Sequence, residues 1–362
     1  MIGLFLNELL RFWYRLSIRW LVAIVLAGLT LGSIVMFFGH SSDGPDTAAI
    51  QRQQEQARQE CISSSIGLQL PPGETIQDYC AGGYDFFEDR RFCVMDMLVT
   101  SGCEIANGIR GGYGGDQATA RPTDFAALVD AEQFPPTDQL GRPIGAPVSR
   151  GYQDGYFTGL AGLTMMISVL IGSTFVGAEY RAGTVESALV VEPRRRRLLM
   201  ARYLAGVVGM FVVTLGLLGF HLVTLLPTIL SRSDSGAVLG GFWTALAWSV
   251  LRIALVSAAV GLVAMALTTI GKHTVAGVGG LLGYLIVGQI MVLVLVTTWR
   301  PIEFAQNVMA VVTHSDVVKV QTGGFTAELV AHGPTMALGY VAAYVVFVTA
   351  VASLVFLRRD VD

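Results

Sequence analysis

Six long apolar runs dominate the pattern of hydrophobic and polar positions along the 362-residue chain. A membrane-spanning helix needs about 20 mostly apolar residues, because the bilayer core offers an irregular backbone no hydrogen-bond partners. The pattern therefore predicts an all-α polytopic membrane protein with six transmembrane helices. The predicted spans cover residues 20–38, 156–178, 203–230, 250–271, 274–299 and 333–357.

One formally charged side chain, Arg252, lies inside these runs, near the start of the fourth span. A long arginine side chain near a span end can extend its guanidinium to the interface, which is the simpler interpretation. Charges within spans are also found lining translocation pathways. Arg252 is therefore a possible pathway residue, and the sequence leaves both interpretations open.

Composition agrees with a membrane protein and excludes several other classes. Apolar residues make up 53% of the chain and charged residues only 14%, and the mean hydropathy is +0.58. An ordinary soluble domain has about 25% charged residues. The formal net charge of −3 gives no basic field for nucleic acid. A disordered chain and a nucleic-acid-binding protein are both excluded.

The distribution of lysine and arginine predicts the orientation of the chain. With both termini inside, the inner segments carry twelve basic residues and the short outer loops carry three. We therefore expect cytoplasmic N- and C-termini. The inner basic residues are Arg11, Arg15, Arg19, Arg181, Arg194, Arg195, Arg196, Arg197, Arg202, Lys272, Arg358 and Arg359, and the outer ones are Arg232, Arg300 and Lys319.

Residues 1–19, before the first span, have a helical amphipathic pattern. Polar side chains recur mostly at steps of three and four, and apolar side chains fill the other face. This pattern predicts a cytoplasmic helix lying flat in the interface, and a simple basic flank of a signal anchor is the alternative. The polar face holds Asn7, Glu8, Arg11, Arg15 and Arg19, and the apolar face holds Leu9, Leu10, Phe12, Trp13 and Leu16.

The segment 39–155 is a polar insert on the outer side, with 17 acidic and 8 basic residues. It contains all four cysteines, Cys61, Cys80, Cys93 and Cys103. Thiols confined to a non-cytoplasmic domain favour two disulfides, with three possible pairings. A four-thiolate zinc site is the competing interpretation. It is disfavoured because the gaps of 18, 12 and 9 residues lack the usual close pairs.

The search for chemistry is otherwise negative. The chain has no G-x-x-x-x-G-K-[ST] phosphate loop and no H-E-x-x-H zinc motif. Its five histidines are scattered without ligand spacing. We therefore predict no catalytic residue, no bound metal and no cofactor in this chain, which is not expected to be an enzyme.

The inner segment 179–202 is the most informative part of the sequence. It begins with a helical pattern in which Val185, Ala188 and Leu189 share one face. Glu179, Arg181 and Glu186 are expected to be exposed. Pro193 ends the pattern, and Arg194 begins a run of four arginines that anchors the next span at the headgroups. An ordinary basic loop explains the arginines, whereas the amphipathic turn suggests a docking site for a cytoplasmic partner.

This loop resembles that of ABC-2 type permeases, the membrane subunits of type-2 ABC exporters. The resemblance extends to the N-terminal amphipathic helix, the six spans and the basic ending Leu357–Asp360, and it covers most of the chain except residues 40–155. In that family an acidic residue, a Gly-Thr pair, a short helix, a proline and a basic residue follow the second span. The matching residues are Glu179, Gly183, Thr184, Glu186, Leu189, Pro193 and Arg194.

The resemblance implies an exporter subunit in a bacterial plasma membrane. A separate cytoplasmic ABC ATPase would bind ATP and Mg²⁺ and receive the helix Glu179–Val190, so that Arg181 and the matching residues would form its coupling loop. A second copy or a sister permease would complete the transporter, with membrane lipid around it. Residues 300–332 would hold re-entrant helices. An amphipathic, lipid-like, peptide or drug-like substrate would suit an apolar cavity.

A membrane-anchored sensor or assembly scaffold is the alternative function. In that case the outer domain would bind a partner, and the inner loop would need no ATPase. An ATPase encoded beside this chain would favour the permease.

Overall fold

A computed structural model describes residues 2–39, 59, 97, 156–184, 190, 194–232, 241–288, 301–315, 317–319 and 329–358. These residues are mostly helical. A π-helical segment, Tyr284–Gly288, continues the sixth helix, and two strands, β1 (Val317–Lys319) and β2 (Leu329–His332), pair antiparallel. The helices are α1 (Ile2–Tyr14), α2 (Leu16–Gly39), α3 (Tyr156–Arg181), α4 (Arg195–Arg232), α5 (Phe242–Gly271), α6 (Thr274–Gly283), α7 (Phe304–Thr313) and α8 (Pro334–Arg358).

Five helices, α2, α3, α4, α5 and α8, are long and apolar enough to cross a membrane. This agrees with the predicted all-α polytopic class. The 38 residues of α4 rise about 57 Å at 1.5 Å per residue. That length exceeds a hydrocarbon core of about 30 Å, so α4 continues outside the core.

The helices extend beyond the apolar runs that predict them. Helix α5 begins at Phe242 rather than at residue 250, and α3 continues to Arg181 rather than ending at residue 178. A helix that has formed adds residues at little cost in free energy. Neighbouring segments that contain both polar and apolar residues therefore extend it at its ends. The described part of the predicted fifth span is α6 with its π-helical continuation. Residues 289–299 lie outside the described residues, so the sixth crossing stays a prediction.

The chain divides into two units. The first contains residues 1–30, 149–223 and 245–362, and the second contains residues 31–148 and 224–244. In the second unit, the hydroxyl oxygens of Ser33 and Thr224 lie 2.8 Å apart and join α2 to α4. All other contacts described below belong to the first unit.

Glycines allow α3, α4 and α5 to approach one another closely. A Cβ on Gly172 of α3 would lie 2.5 Å from the carbonyl oxygen of Gly261 in α5. A Cβ on Gly206 of α4 would lie 2.6 Å from the side chain of Met265 in α5. Such close van der Waals contact supplies much of the free energy by which membrane helices associate. Lipid tails are as apolar as the helix surfaces, so there is little hydrophobic driving force between helices.

Polar side chains within these helices pair with one another. In lipid, a hydroxyl group has no water to bind. A hydrogen bond to a neighbouring helix therefore removes the free-energy cost of an unsatisfied polar group. The pairs connect α3 to α5, α4 to α5 and α3 to α4. They are Thr164 Oγ1–Ser257 Oγ (3.1 Å), Tyr203 OH–Thr269 Oγ1 (3.0 Å) and Tyr156 OH–His221 Nε2 (2.6 Å).

Glu303 fixes the start of α7. Its carboxylate accepts hydrogen bonds at 3.1 and 2.7 Å from two backbone N–H groups of the first turn, the arrangement of an N-cap. The same carboxylate accepts a hydrogen bond from the Tyr284 hydroxyl. The Tyr344 hydroxyl of α8 donates to the carbonyl of Ile302, at 2.7 Å. The beginning of α7 is therefore tied to both neighbouring helices.

Helix α7 begins beside the interior of α8 and not beyond its end. Tyr344 follows Pro334, the first residue of α8, by ten positions, which is about 15 Å along a helix. Asn307, one turn into α7, lies 2.8 Å from His332, just before α8 begins. Helix α7 therefore lies alongside the first half of α8. This helix falls within the predicted re-entrant segment 300–332, and its entry into the membrane stays a prediction.

The close approach at Gly277 of α6 gives a test of the packing. A Cβ there would lie 2.6 Å from the carbonyl oxygen of Ala264 and would also collide with the hydroxyls of Thr268 and Ser173. Gly277→Ala should destabilise the protein by roughly 1–3 kcal/mol through overpacking. A thermal midpoint several degrees lower in detergent is expected.

Gly279→Ala is the matched control in the same helix, because a Cβ there would meet its nearest atom at an ordinary 3.7 Å. Equal midpoints for the two variants would contradict the packing of α6 against α3 and α5.

Candidate functional site

A buried carboxylate, Glu179, joins three segments at one end of the first unit. Its Oε1 lies 2.5 Å from Nη2 of Arg15, which stands between α1 and α2. Its Oε2 lies 2.6 Å from Nη2 of Arg202, in the second turn of α4. The second contact is an ion pair by distance, although its angles fall outside those of a hydrogen bond. Glu179 stands in the last turn of α3, so one side chain connects the N-terminal segment, α3 and α4.

The burial of these groups makes the pairing obligatory. Arg202 is 1% exposed and Glu179 is 7% exposed. An isolated charge in such surroundings would cost several kcal/mol, which opposite charges and hydrogen bonds must offset. Arg15 Nη1 also donates to the carbonyl of Thr174, at 3.3 Å. We use the name Glu179 cluster for Arg15, Glu179, Arg202 and the neighbouring Glu8.

Glu8 is the second acid of the cluster and is 1% exposed. Its Oε1 lies 3.1 Å from Nη1 of Arg11, an exposed side chain one turn later in α1. Burial raises the pKa of Glu8, and the attraction of Arg202 opposes that increase. Burial also lowers the pKa of Arg15, against the attraction of Glu179. Burial therefore disfavours the ionised forms of both Glu8 and Arg15.

Apolar contacts hold α1 beside the cluster. The Phe12 ring is fully buried and fills the space above Gly209 of α4, where a Cβ would lie 2.6 Å from the ring. Its centroid lies 5.4 Å from that of Phe175 in α3. The guanidinium of Arg15 lies over the Phe175 ring at 4.6 Å, a cation–π contact. Phe12 thus positions the end of α1 so that Arg15 reaches Glu179.

The predicted amphipathic helix forms, but its faces differ from the prediction. Glu8 and Phe12 face the protein, whereas Leu10 and Trp13 are exposed. Of the residues predicted on the polar face, Glu8 is buried and Arg15 is partly buried against the protein. Long-range ion pairing with α3 and α4 offsets the cost of burying these charges.

The predicted coupling-loop residues that the structure describes differ in how exposed they are. Glu179 was expected to be exposed and is instead buried, because Arg15 and Arg202 neutralise it. Arg181 and Arg194 are exposed. Glu186, Leu189 and Pro193 lie outside the described residues.

The turn after α3 starts directly from the Glu179 cluster. Gly183 has φ +65°, the left-handed conformation that commonly ends a helix and that favours glycine. The Thr184 hydroxyl donates to the carbonyl of Glu179, at 3.4 Å. The Gly-Thr pair therefore turns the chain out of α3 while remaining hydrogen-bonded to it.

Arg252 is not part of the cluster. Its Nη2 donates to the Ser249 hydroxyl, at 2.9 Å, one turn earlier in α5. Tyr203, the residue after Arg202, contacts Thr269 of α5, so Thr269 marks the level of the cluster along that helix. Arg252 precedes Thr269 by 17 positions, which is about 25 Å along a helix. Arg252 is partly buried, and its role as a pathway residue stays a prediction.

Sequence reasoning missed Arg15, Arg202, Glu8 and Phe12 as members of one site. It counted Arg202 only as a basic residue near a span end, and it placed Arg15 and Glu8 on the polar face of the N-terminal helix. An available signal was the presence of two acids, Glu8 and Glu179, beside basic residues at the ends of apolar segments. Such acids at a basic membrane end require a partner, although the sequence does not identify which one.

The described residues contain no group of three or more histidine, cysteine or acidic side chains placed to hold a metal ion. Cys61, Cys80, Cys93 and Cys103, with the two predicted disulfides and the competing zinc site, lie outside the described residues. No protein-family model, curated protein or solved structure matches this chain.

Removing the shared carboxylate should be strongly destabilising. Glu179→Gln leaves the buried guanidinium of Arg202 without its counter-charge, and breaking a buried pair in this way costs about 3–5 kcal/mol. We expect a markedly lower thermal midpoint in detergent. Arg181→Gln is the control, since it changes one charge on an exposed side chain at the same helix end. Similar midpoints for the two variants would contradict the role of Glu179.

The raised pKa of Glu8 predicts a pH dependence with a definite sign. The folded protein holds the Glu8 proton more tightly than the unfolded chain, so this group stabilises the fold at low pH. That contribution is lost as pH rises from the ordinary glutamate value of 4.5 through the raised value. Glu8→Gln imitates the protonated form.

Thermal midpoints measured across this pH range should therefore show the Gln variant gaining on the wild type as pH rises. A variant that instead loses stability relative to the wild type would show that the ionised Glu8 is favoured.

Proposed function

We propose that this chain is the permease subunit of an ABC-2 type exporter. Six spans, the sixth supplied by residues 274–299, would form one half of the transporter, with a second copy or a sister permease as the other half. Both termini would lie in the cytoplasm of a bacterial cell. The cargo would be an amphipathic, lipid-like, peptide or drug-like molecule that suits an apolar cavity.

The Glu179 cluster is the observation that carries this proposal. A permease must transmit a conformational change from a cytoplasmic ATPase into its membrane spans. The loop that contacts the ATPase therefore needs a rigid connection to several helices. The Gly183–Thr184 turn leaves α3 four to five residues after Glu179, which is paired with Arg15 and Arg202. A displacement at this turn would reach the N-terminal segment, α3 and α4 together.

The energetics require a separate energy source. A ligand changes a conformational equilibrium only by its differential affinity for the two states. ATP and Mg²⁺ bound to a partner ATPase would supply that difference, and the coupling loop Glu179–Val190 would convey it. The chain itself carries no phosphate loop, which fits a division of work between two subunits.

The outer side would be formed by the insert 39–155, with its two proposed disulfides, and by the segment 300–332. The attachment of α7 to Tyr284 and to Tyr344 of α8 supports a re-entrant arrangement. Helix α7 would then close the outer end of the pathway, and Glu303 would hold it in place.

The proposal is tested by purifying the tagged full-length chain in mild detergent from its native membrane. A stoichiometric ATPase with its own phosphate loop is expected in the preparation. Recovery of an outer or membrane partner without any ATPase would contradict the proposal and favour a sensor or scaffold.

Gly183→Ala tests the role of the turn. A Cβ at φ +65° strains the backbone by about 1–2 kcal/mol, which should reduce the ATPase activity recovered per permease. Gly241→Ala is the matched control, because Gly241 has φ +84° and is also exposed. Equal ATPase activity in both variants would count against coupling through the Gly183 turn.

A further inference from the structure

The elbow, which we define as residues 13–20 around the junction of α1 and α2, contains Arg19, an arginine whose donor groups are only partly used. Arg19 Nε donates to the carbonyl of Trp13, at 2.9 Å, near the end of α1. The guanidinium lies over the Tyr14 ring, with Cζ 5.2 Å from the centroid. Within the part of the chain that the structure describes, Nη1 and Nη2 have no hydrogen-bond or ion-pair partner. The side chain is thus held through Nε, and the residue is exposed.

The length of the uncharged stretch after Arg19 indicates the level of this residue relative to the bilayer. Residues 20–39 contain no charge, and twenty helical residues rise about 30 Å, the thickness of the hydrocarbon core. Arg19 immediately precedes this stretch. If the stretch fills the core, the guanidinium lies at the level where phospholipids carry their phosphates.

Three exposed aromatic residues lie close to Arg19 in the sequence, and the ring of one of them, Tyr14, contacts its guanidinium. Tyr14 is 71% exposed and Trp20 is 62% exposed, and Trp13 is 39% exposed. Tryptophan and tyrosine are enriched at the membrane interface, where their rings contact acyl chains and glycerol while their polar ends reach the headgroups. The elbow therefore combines a charged group for a phosphate with apolar surfaces for the rest of a lipid.

We propose that this elbow is a binding site for a single phospholipid, whose phosphate accepts hydrogen bonds from Arg19 Nη1 and Nη2. A guanidinium presents two parallel donors that match a phosphate, and such charge-assisted pairs are strong. The contact with Trp13 orients the fork in advance and so reduces the entropy lost on binding. This site depends on the membrane position of α2 and not on the proposed transport function.

Native mass spectrometry of the delipidated full-length protein tests the site. The probes are dioleoylphosphatidylglycerol and dioleoylglycerol, which share acyl chains and differ by the phosphate-bearing headgroup. The wild type should bind the first phosphatidylglycerol at least about fivefold more tightly than dioleoylglycerol. Arg19→Gln should remove most of this preference. Equal affinity of the wild type for the two lipids would overturn the proposal.

Arg194→Gln is the charge-matched control, since Arg194 is exposed and precedes α4 rather than the elbow. It should bind phosphatidylglycerol within about twofold of the wild-type affinity. Equal losses of phosphatidylglycerol affinity in the two arginine variants would show only a general charge attraction and would overturn the proposed site.

Tyr14→Ala leaves the Arg19–Trp13 hydrogen bond intact and removes the stacked ring. It should weaken phosphatidylglycerol binding while circular dichroism stays unchanged. Wild-type binding by this variant would also overturn the proposal, even if Arg19→Gln failed to fold.

Discussion

The buried guanidinium of Arg202 and the partly buried guanidinium of Arg15 share the carboxylate of Glu179, and the arrangement of the helix ends around it depends on that sharing. Arg202 would not be stable at this burial without an anion. The requirement fixes the last turn of α3 against the second turn of α4 and against the junction of α1 and α2. It also determines which face of α1 meets the protein, because Phe12 must pack on Phe175 for Arg15 to reach its partner.

The charge of the cluster is not balanced by Glu179 alone. Two cations and one anion leave a positive excess, which Glu8 neutralises when it is ionised. Burial opposes that ionisation, so attraction and desolvation act in opposite directions on one carboxyl group. The cluster is therefore a connection whose strength depends on protonation. The start of α7 is held by a different kind of contact, since the Glu303 carboxylate accepts hydrogen bonds from backbone N–H groups and from a tyrosine hydroxyl.

The sequence predicts the helical membrane class well, because length and apolarity alone decide whether a helix suits a bilayer. It predicts helix ends less well, as Phe242 and Arg181 show, because a growing helix incorporates neighbouring residues of mixed character. It predicts the amphipathic N-terminal helix but not its orientation. Arg15 and Glu179 are separated by 164 positions, and no local pattern indicates such a contact. A charge at a span end is equally compatible with headgroups and with a buried partner.

The central claim is that the loop following Glu179 receives a cytoplasmic ATPase. Val190, 84% exposed, lies at the end of the proposed coupling helix, so a photo-crosslinking amino acid placed there in living cells tests the claim most directly. The account predicts a crosslink to a protein with a phosphate loop, absent when the same amino acid replaces the exposed Leu354 of α8. No crosslink to such an ATPase from position 190, in cells that contain the folded protein, would contradict the claim.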